Sequence, residues 1–282
     1  VIRMQSIDDG FLLEDSTIHP GTSGGVFAFM SEDIIMNNLT IAGAPGIDLD
    51  ETSGEMNDIV LEGDGSGIGL TIRHGISEPV VAEDMQISDY SVGLKLHAHD
   101  FEDPATAILR NISIESTEAL SAEFFDLRIE SSSLNGDLSI AGSKIDAVDS
   151  ILTGAESIDS SGLLNEWSSH SLHAVLNGEV VQASYVLTSD IMNAPLEFSG
   201  MFVDVELLHE QTTSDGSTSI TEVSAEVVSA QSLPTTHVFS TGLGSEQNVI
   251  ITLLANTPPA LSIQSPYSGQ RYMETIPVEV SM

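Results

Sequence analysis

A short motif recurs through the first half of the chain: Asn or Asp, an apolar residue, a variable residue, and a second apolar residue. It reads Asn38-Leu39-Thr40-Ile41, Asp58-Ile59-Val60-Leu61, Asp84-Met85-Gln86-Ile87, Asn111-Ile112-Ser113-Ile114 and Asp126-Leu127-Arg128-Ile129. A second alternating run follows each: Gly46-Ile47-Asp48-Leu49, Gly67-Ile68-Gly69-Leu70, Val92-Gly93-Leu94-Lys95-Leu96, Ala119-Leu120-Ser121-Ala122 and Gly136-Asp137-Leu138-Ser139-Ile140. Alternation at period two marks strands with one buried face, and helical periodicity is nearly absent. The repeat is loose, at roughly 20 to 27 residues with a shorter last step, and it carries two short strands and no helix. That is the pattern of stacked solenoid coils, in which each coil buries its inward side chains only against its neighbours.

Over about residues 20 to 160 this pattern resembles the right-handed parallel β-helix of the pectate-lyase-like superfamily. The resemblance rests on the repeat rather than on any single motif. It implies that Ile41, Leu61, Ile87, Ile114 and Ile129 form one inward aliphatic ladder, that Leu49, Leu70, Leu94 and Leu138 form another, and that the leading Asn and Asp residues stack at turns. An antiparallel sandwich would also alternate, but with tight hairpins at more regular spacing.

From about Gly162 the pattern changes. Leu172 to Leu176 alternates, Asn177-Gly178 is a hairpin turn signal, and a second alternating run extends to Val186. Further strands are expected at Phe202–Leu208, at Thr218–Val228 after a turn at Ser214–Ser217, and at Val249–Leu254. This part resembles carboxypeptidase-regulatory-like or transthyretin-like modules, with Gln182-Ala183-Ser184 where their usual Pro-Gly-Ala stands. Asn256-Thr257-Pro258-Pro259 is a rigid linker signal. The residues after it resemble the first strands of an immunoglobulin-like domain, too few for a whole one. The expected organisation is all-β: a right-handed parallel β-helix over 1–161, a small antiparallel β-sandwich over 162–255, and a linker with the truncated start of an immunoglobulin-like domain over 256–282. The chain then reads as a segment of a longer protein.

Charge narrows the partners. Seven Lys and Arg stand against 43 Asp and Glu, a net charge of -36, which repels nucleic acid and anionic lipid. Other surface proteins, glycans and cations remain. Self-repulsion on this scale is relieved by salt, where the Debye length shortens to ~8 Å at physiological ionic strength and ~3 Å at 1 M, so a marine or salt-loving source is expected. No run is apolar enough to span a membrane, and the absence of cysteine removes disulfides and thiolate chemistry. The expected location is extracellular or on the cell surface.

One stretch concentrates chemistry. Leu94-Lys95-Leu96-His97-Ala98-His99-Asp100-Phe101-Glu102-Asp103 holds two histidines, a lysine and three carboxylates. In a coil frame Gly69–His74 lies over Gly93–Ala98, so Arg73 and His97 share one outward face, with Thr71 and Lys95 beside them and Asp48 and Asp50 near. A uronate lyase needs such a group, because abstracting the proton beside a carboxyl takes a base and a cation; Lys95, His97 and Arg73 are its candidates. Alternatively His97 and His99 lie on one side of a strand and could ligate a metal with Asp100 or Asp103. The third reading is a solvated strand end.

Other motifs carry less. Gly21-Thr22-Ser23-Gly24-Gly25 has the spacing of a nucleophile elbow, but Val26–Phe29 reads as strand where a helix is needed. Glu62–Gly67 imitates a calcium loop, yet Arg73 stands at its twelfth position; calcium at other carboxylate-lined turns is the one cofactor expected, without nameable ligands. The sequons at Asn38 and Asn111 coincide with the coil motif, whose geometry accounts for them. The function expected is a non-catalytic segment of a large acidic surface protein, in adhesion, glycan binding or a surface layer. The alternative is a polysaccharide lyase or glycoside hydrolase built on the β-helix.

Overall fold

The computed structural model describes residues 2–7, 10–19, 25–73, 79–98, 105–189, 192, 194–245 and 247–256. The described chain is all-β, a solenoid of about six stacked turns leading into a small antiparallel sheet. β1 (Ile2–Gln5) and β2 (Phe11–Ile18) begin the stack, and β3 (Val26–Ala42) and β4 (Ile47–Glu62) each bend twice to make a whole turn. β5 (Ile68–Arg73), β6 (Val80–His97), β7 (Ala105–Glu123), β8 (Phe125–Glu130) and β9 (Ser133–Ala141) continue it, and β10 (Lys144–Val148), β11 (Ile151–Thr153) and β12 (Glu156–Ile158) follow. Their pairings with one another are parallel.

Parallel register stacks like on like, and each turn presents three strand faces. On the third, Ile18, Ile41, Leu61, Ile87, Ile114, Leu134 and Leu152 form one ladder. The sequence places Ile129 at the fifth expected rung. Ile129 is inward and fully buried, but it stands over Leu109 on the second face. Its motif matches the repeat while lying part-way round the coil, which is why the last step is short.

On the first face Ile47, Leu70, Leu94, Leu120 and Leu138 are in register. Leu49 stands over Ile72 instead. A slip of two residues leaves the inward and outward sets unchanged, so alternation alone cannot detect it.

The leading Asn and Asp residues have a backbone role. At the corner between second and third faces, Asp15, Asn38, Asp58, Asp84, Asn111, Ser131 and Asp149 all have φ between 48 and 54°. L-residues adopt this left-handed conformation at a cost of roughly 1–2 kcal/mol, which Asn and Asp tolerate best through local hydrogen bonds. Asn38 Nδ2 donates to Asp15 Oδ1 at 2.7 Å, and Asn111 Nδ2 donates to Asp84 Oδ1. Asp126, expected in this column, lies mid-strand in β8, and Ser131 holds the corner instead. Behind two corners, buried Ser132 and Ser150 donate to Glu130 and Val148 carbonyls at 2.7 and 2.8 Å.

The remaining strands are β13 (Leu163–Leu176), β14 (Glu179–Val181), β15 (Ala183–Thr188), β16 (Leu196–Gly200), β17 (Val203–Thr213), β18 (Gly216–Ser219), β19 (Glu222–Val228), β20 (Thr235–Ser240) and β21 (Asn248–Leu253). β13 serves both parts of the fold. Its first residues pair parallel with β10, its last pair parallel with β21, and β17 runs antiparallel along most of it. Asn177 and Gly178 form the expected turn, with φ of 54 and 87°, both positive as a tight hairpin requires. The strand after it breaks at Gln182: β14 stays with β13, while β15 joins the four-stranded antiparallel sheet β16-β15-β19-β20. β18 and β19 repeat this crossing. Leu172, Ala174 and Leu176 share one buried cluster with Tyr185, Leu187, Val223, Ala225 and Val227. The Thr257–Met282 part of the expected linker and immunoglobulin-like start lies outside the described residues.

Candidate functional site

The outward column on the first face forms as the sequence predicts. Thr71 stands over Lys95 and Arg73 over His97, with Asp48 and Asp50 next in the same columns. Arg73 grips Asp48, its Nη2 lying 2.9 and 2.7 Å from the two carboxylate oxygens and Nε 3.2 Å from Oδ1. Asp50 is 3.6 Å away. Burial alone would lower the Arg73 pKa, but the hydrogen bonds and charge of Asp48, with the charge of Asp50, hold it above the ordinary arginine value. A catalytic base needs the opposite shift.

His97 Nδ1 lies 2.9 Å from Glu123 Oε2 on the next coil. Lys95 is exposed. The metal-ligand candidates His99 and Asp100, with His74 and Asp103, lie outside the described residues. Among the described residues no three His, Asp or Glu side chains are grouped to hold a metal.

The second face gathers Arg110, Arg128 and Lys144 on its outward side. Arg128, Asp146, Asn165 and Gln211 are successive in register across β8, β10, β13 and β17. Asp146 accepts from Lys144 Nζ at 2.6 Å, Asn165 Nδ2 at 2.8 Å and Trp167 Nε1 at 3.2 Å. Gln211 Nε2 donates to Asn165 Oδ1 at 2.8 Å. Arg110 and Arg128 both pair with Glu130, and Arg128 also reaches Glu206 of β17 at 2.6 Å.

Two carboxyls on this face are driven apart. Burial raises the Asp126 pKa despite Lys144, with the Asp146 charge adding to the rise. Burial also pushes Asp146 up, but the hydrogen bonds from Lys144, Asn165 and Trp167 outweigh it and leave it below the usual value. A recess of about 270 Å³ lies between these groups, lined also by Pro79, Thr106 and Ile108. The sequence reading missed this face. Its signal is the alternation of charge at outward positions, Asp126-x-Arg128-x-Glu130 and Lys144-x-Asp146.

A third feature follows from the left-handed corners. Asp58, Asp84, Asn111, Ser131 and Asp149, with Gln86, Ser113 and Ser133 beside them, line a polar trough of about 590 Å³ along the solenoid. Both sequon asparagines stand at these corners. In the segment resembling a calcium loop, Asp64 Oδ1 instead accepts from the backbone N and Oγ of Ser66 at 3.1 and 2.6 Å. That closes a local turn.

Neither a family model, nor a curated protein, nor a solved structure matches the chain.

Proposed function

We propose that this chain is a non-catalytic segment of a large acidic secreted or cell-surface protein, a rigid stacked-coil scaffold for adhesion and glycan contact. We also assign its coils to the right-handed parallel β-helix of the pectate-lyase-like superfamily, its later strands to a carboxypeptidase-regulatory-like module, and its C-terminal residues to the start of an immunoglobulin-like domain. One observation carries the functional reading. Arg73, Arg110, Arg128 and Lys144 each pair with a carboxylate on their own or a neighbouring strand. Chemistry on acidic sugars needs cations facing the substrate, whereas Arg73, Arg110 and Arg128 tie neighbouring strands together and Lys144 is held by Asp146 of its own strand.

The trough supplies the contact surface, with hydroxyl, amide and carboxylate groups repeating at the ~4.8 Å coil spacing. Such a surface suits hydroxyl-rich neutral glycans. The test is retention of the chain on immobilised neutral and acidic polysaccharides, with calcium present or chelated. Retention by neutral glycans, unchanged in Lys95→Ala and His97→Ala, is expected; retention by none counts against the reading.

A glycoside hydrolase is the second reading, favoured by the Asp126 and Asp146 pair. Inverting hydrolysis uses one carboxyl kept protonated and one kept ionised, ~6.5 to 9.5 Å apart, and opposed pKa shifts are the mark of such division. In this reading Asp126 is the acid and Asp146 the base. Against it, Asp146 is already engaged by three donors.

A further inference from the structure

The two hydrophobic cores do not meet. The solenoid core ends at Leu164 and the next begins at Leu172, both on β13. The inward positions between them are Glu166, Ser168 and His170. Glu166 continues the ladder of Met36, Met56, Ala82, Leu109, Ile129 and Ala147, so a carboxylate occupies the end rung of an aliphatic column.

Across β13 and β17, Glu166 is in direct register with Glu210. Like charges directly opposite on paired strands destabilise the pairing. Glu156 of β12 adds a third carboxylate, and among the described residues the charges acting on Glu166 are those of Glu210 and Glu156. On β17 the adjacent residue is His209, whose own charged neighbours are Glu210, Asp149 and His170. His170 is buried, with Nε2 2.8 Å from Ser168 Oγ, which in turn accepts from Gly242 N at 3.1 Å. The register shift between Glu166 and Trp167 places a bulge at this point of the β13–β17 ladder.

We propose that this polar layer is a proton-sensitive joint between the solenoid and the sheets that follow it, closed when Glu166 carries a proton and loosened when Glu166 is ionised opposite Glu210. The proton exchanges with solvent, and no covalent bond changes. In the closed state a protonated carboxyl can donate to its neighbour across the strands. When Glu166 is ionised the pair repels on β13, the strand that contributes Leu164 to one core and Leu172 to the other.

The titration range follows from the surroundings. Burial, then the charges of Glu210 and Glu156, pushes Glu166 up to about 7, above its ordinary carboxylate value. A carboxyl raised on folding stabilises below its unfolded pKa, and that contribution is lost as pH rises through the folded value. The joint is therefore closed in mild acid and loosened above neutrality. His209 does not set this window, because burial lowers its pKa.

Trp167, the single tryptophan, adjoins Glu166 and reports on the joint. Its emission is followed from pH 5 to 9 in the intact chain, and its indole partner Asp146, held below the usual carboxylate range, stays ionised throughout. A transition with its midpoint near 7 is expected. It should vanish in Glu166→Gln, which mimics the protonated form, and move to lower pH in Glu210→Gln, where the opposing charge is gone. A flat profile in the wild type, or a transition that persists in Glu166→Gln and so belongs to a histidine, overturns the proposal.

Discussion

Gly54 stands directly over Ile34 in the second-face ladder, so close that a Cβ on Gly54 would lie 2.0 Å from the Ile34 carbonyl oxygen. Its φ of +153° is also one that L side chains rarely adopt. Gly54→Ala therefore forces two coils apart where the register already shifts between Ser31 and Ile34. A loss of about 3 kcal/mol or more in urea unfolding is expected, at the upper end of overpacking costs. Gly65→Ala is the control: φ is +87° but nothing lies within 4 Å, so only the backbone cost of roughly 1–2 kcal/mol applies.

The Arg73 and Asp48 pair tests whether the outward cations hold coils together. Exposed pairs contribute ~0.2–1 kcal/mol, and bidentate geometry favours the upper end. A double-mutant cycle with Arg73→Ala and Asp48→Ala should give a coupling of about 1 kcal/mol at low salt that falls as salt rises. Lys95→Ala should leave the melting temperature within about 2 °C of wild type, since surface changes away from buried features stay near ±0.5 kcal/mol. Greater destabilisation by Lys95→Ala than by Arg73→Ala would contradict the assignment.

The corner residues make a conformational prediction. Asn111 has φ of 53°, which glycine adopts freely and a β-branched residue resists. Asn111→Gly should be near neutral, the backbone gain offsetting the lost bond to Asp84. Asn111→Val should cost at least about 2 kcal/mol. Equal stabilities by chemical denaturation would mean that the corner is not held left-handed in solution.

Tyr90 is buried at the bend where β6 passes from the third face to the first, and its hydroxyl donates to the Gly43 carbonyl at 2.9 Å. Burial, with the charges of Asp64 and Glu62, pushes its pKa up to about 12. The raised value means the folded chain holds this proton longer than the unfolded one, so its contribution is full below about pH 10 and lost as pH approaches 12. Burial raises the pKa of Tyr185 as well, so spectrophotometric titration should show late tyrosines, of which Tyr90→Phe should remove one while reducing alkaline destabilisation.

Much of the solenoid is legible in the sequence because period-two alternation reports which side chains point inward, and that is independent of exact register. Ile41, Leu61, Ile87 and Ile114 are found in one ladder for this reason, and the stacking of Arg73 over His97 follows from a glycine-led run repeated in neighbouring coils. Leu49 and Ile129 escape because alternation says nothing about slips of two residues or about which face of a coil a strand occupies. The strand breaks at Gln182 and at Ile220-Thr221 escape for another reason. Each transfers the chain between sheets without a turn signal. The charged second face was hidden because its partners, Arg128, Asp146, Asn165 and Gln211, come from four strands and meet only through register.

The proposed scaffold contacts glycans without transforming them, and product formation tests this directly. Unsaturated uronides, by ultraviolet absorbance, and new reducing ends should be measured together over a panel of neutral and acidic polysaccharides with calcium. The wild type should be compared with Asp126→Asn and with the Lys95→Ala, His97→Ala double variant. No product above the protein-free control is the expected result. New reducing ends that disappear in Asp126→Asn would make the second face a hydrolase site, and uronides lost in the double variant would make the first face a lyase site; either would contradict the scaffold reading.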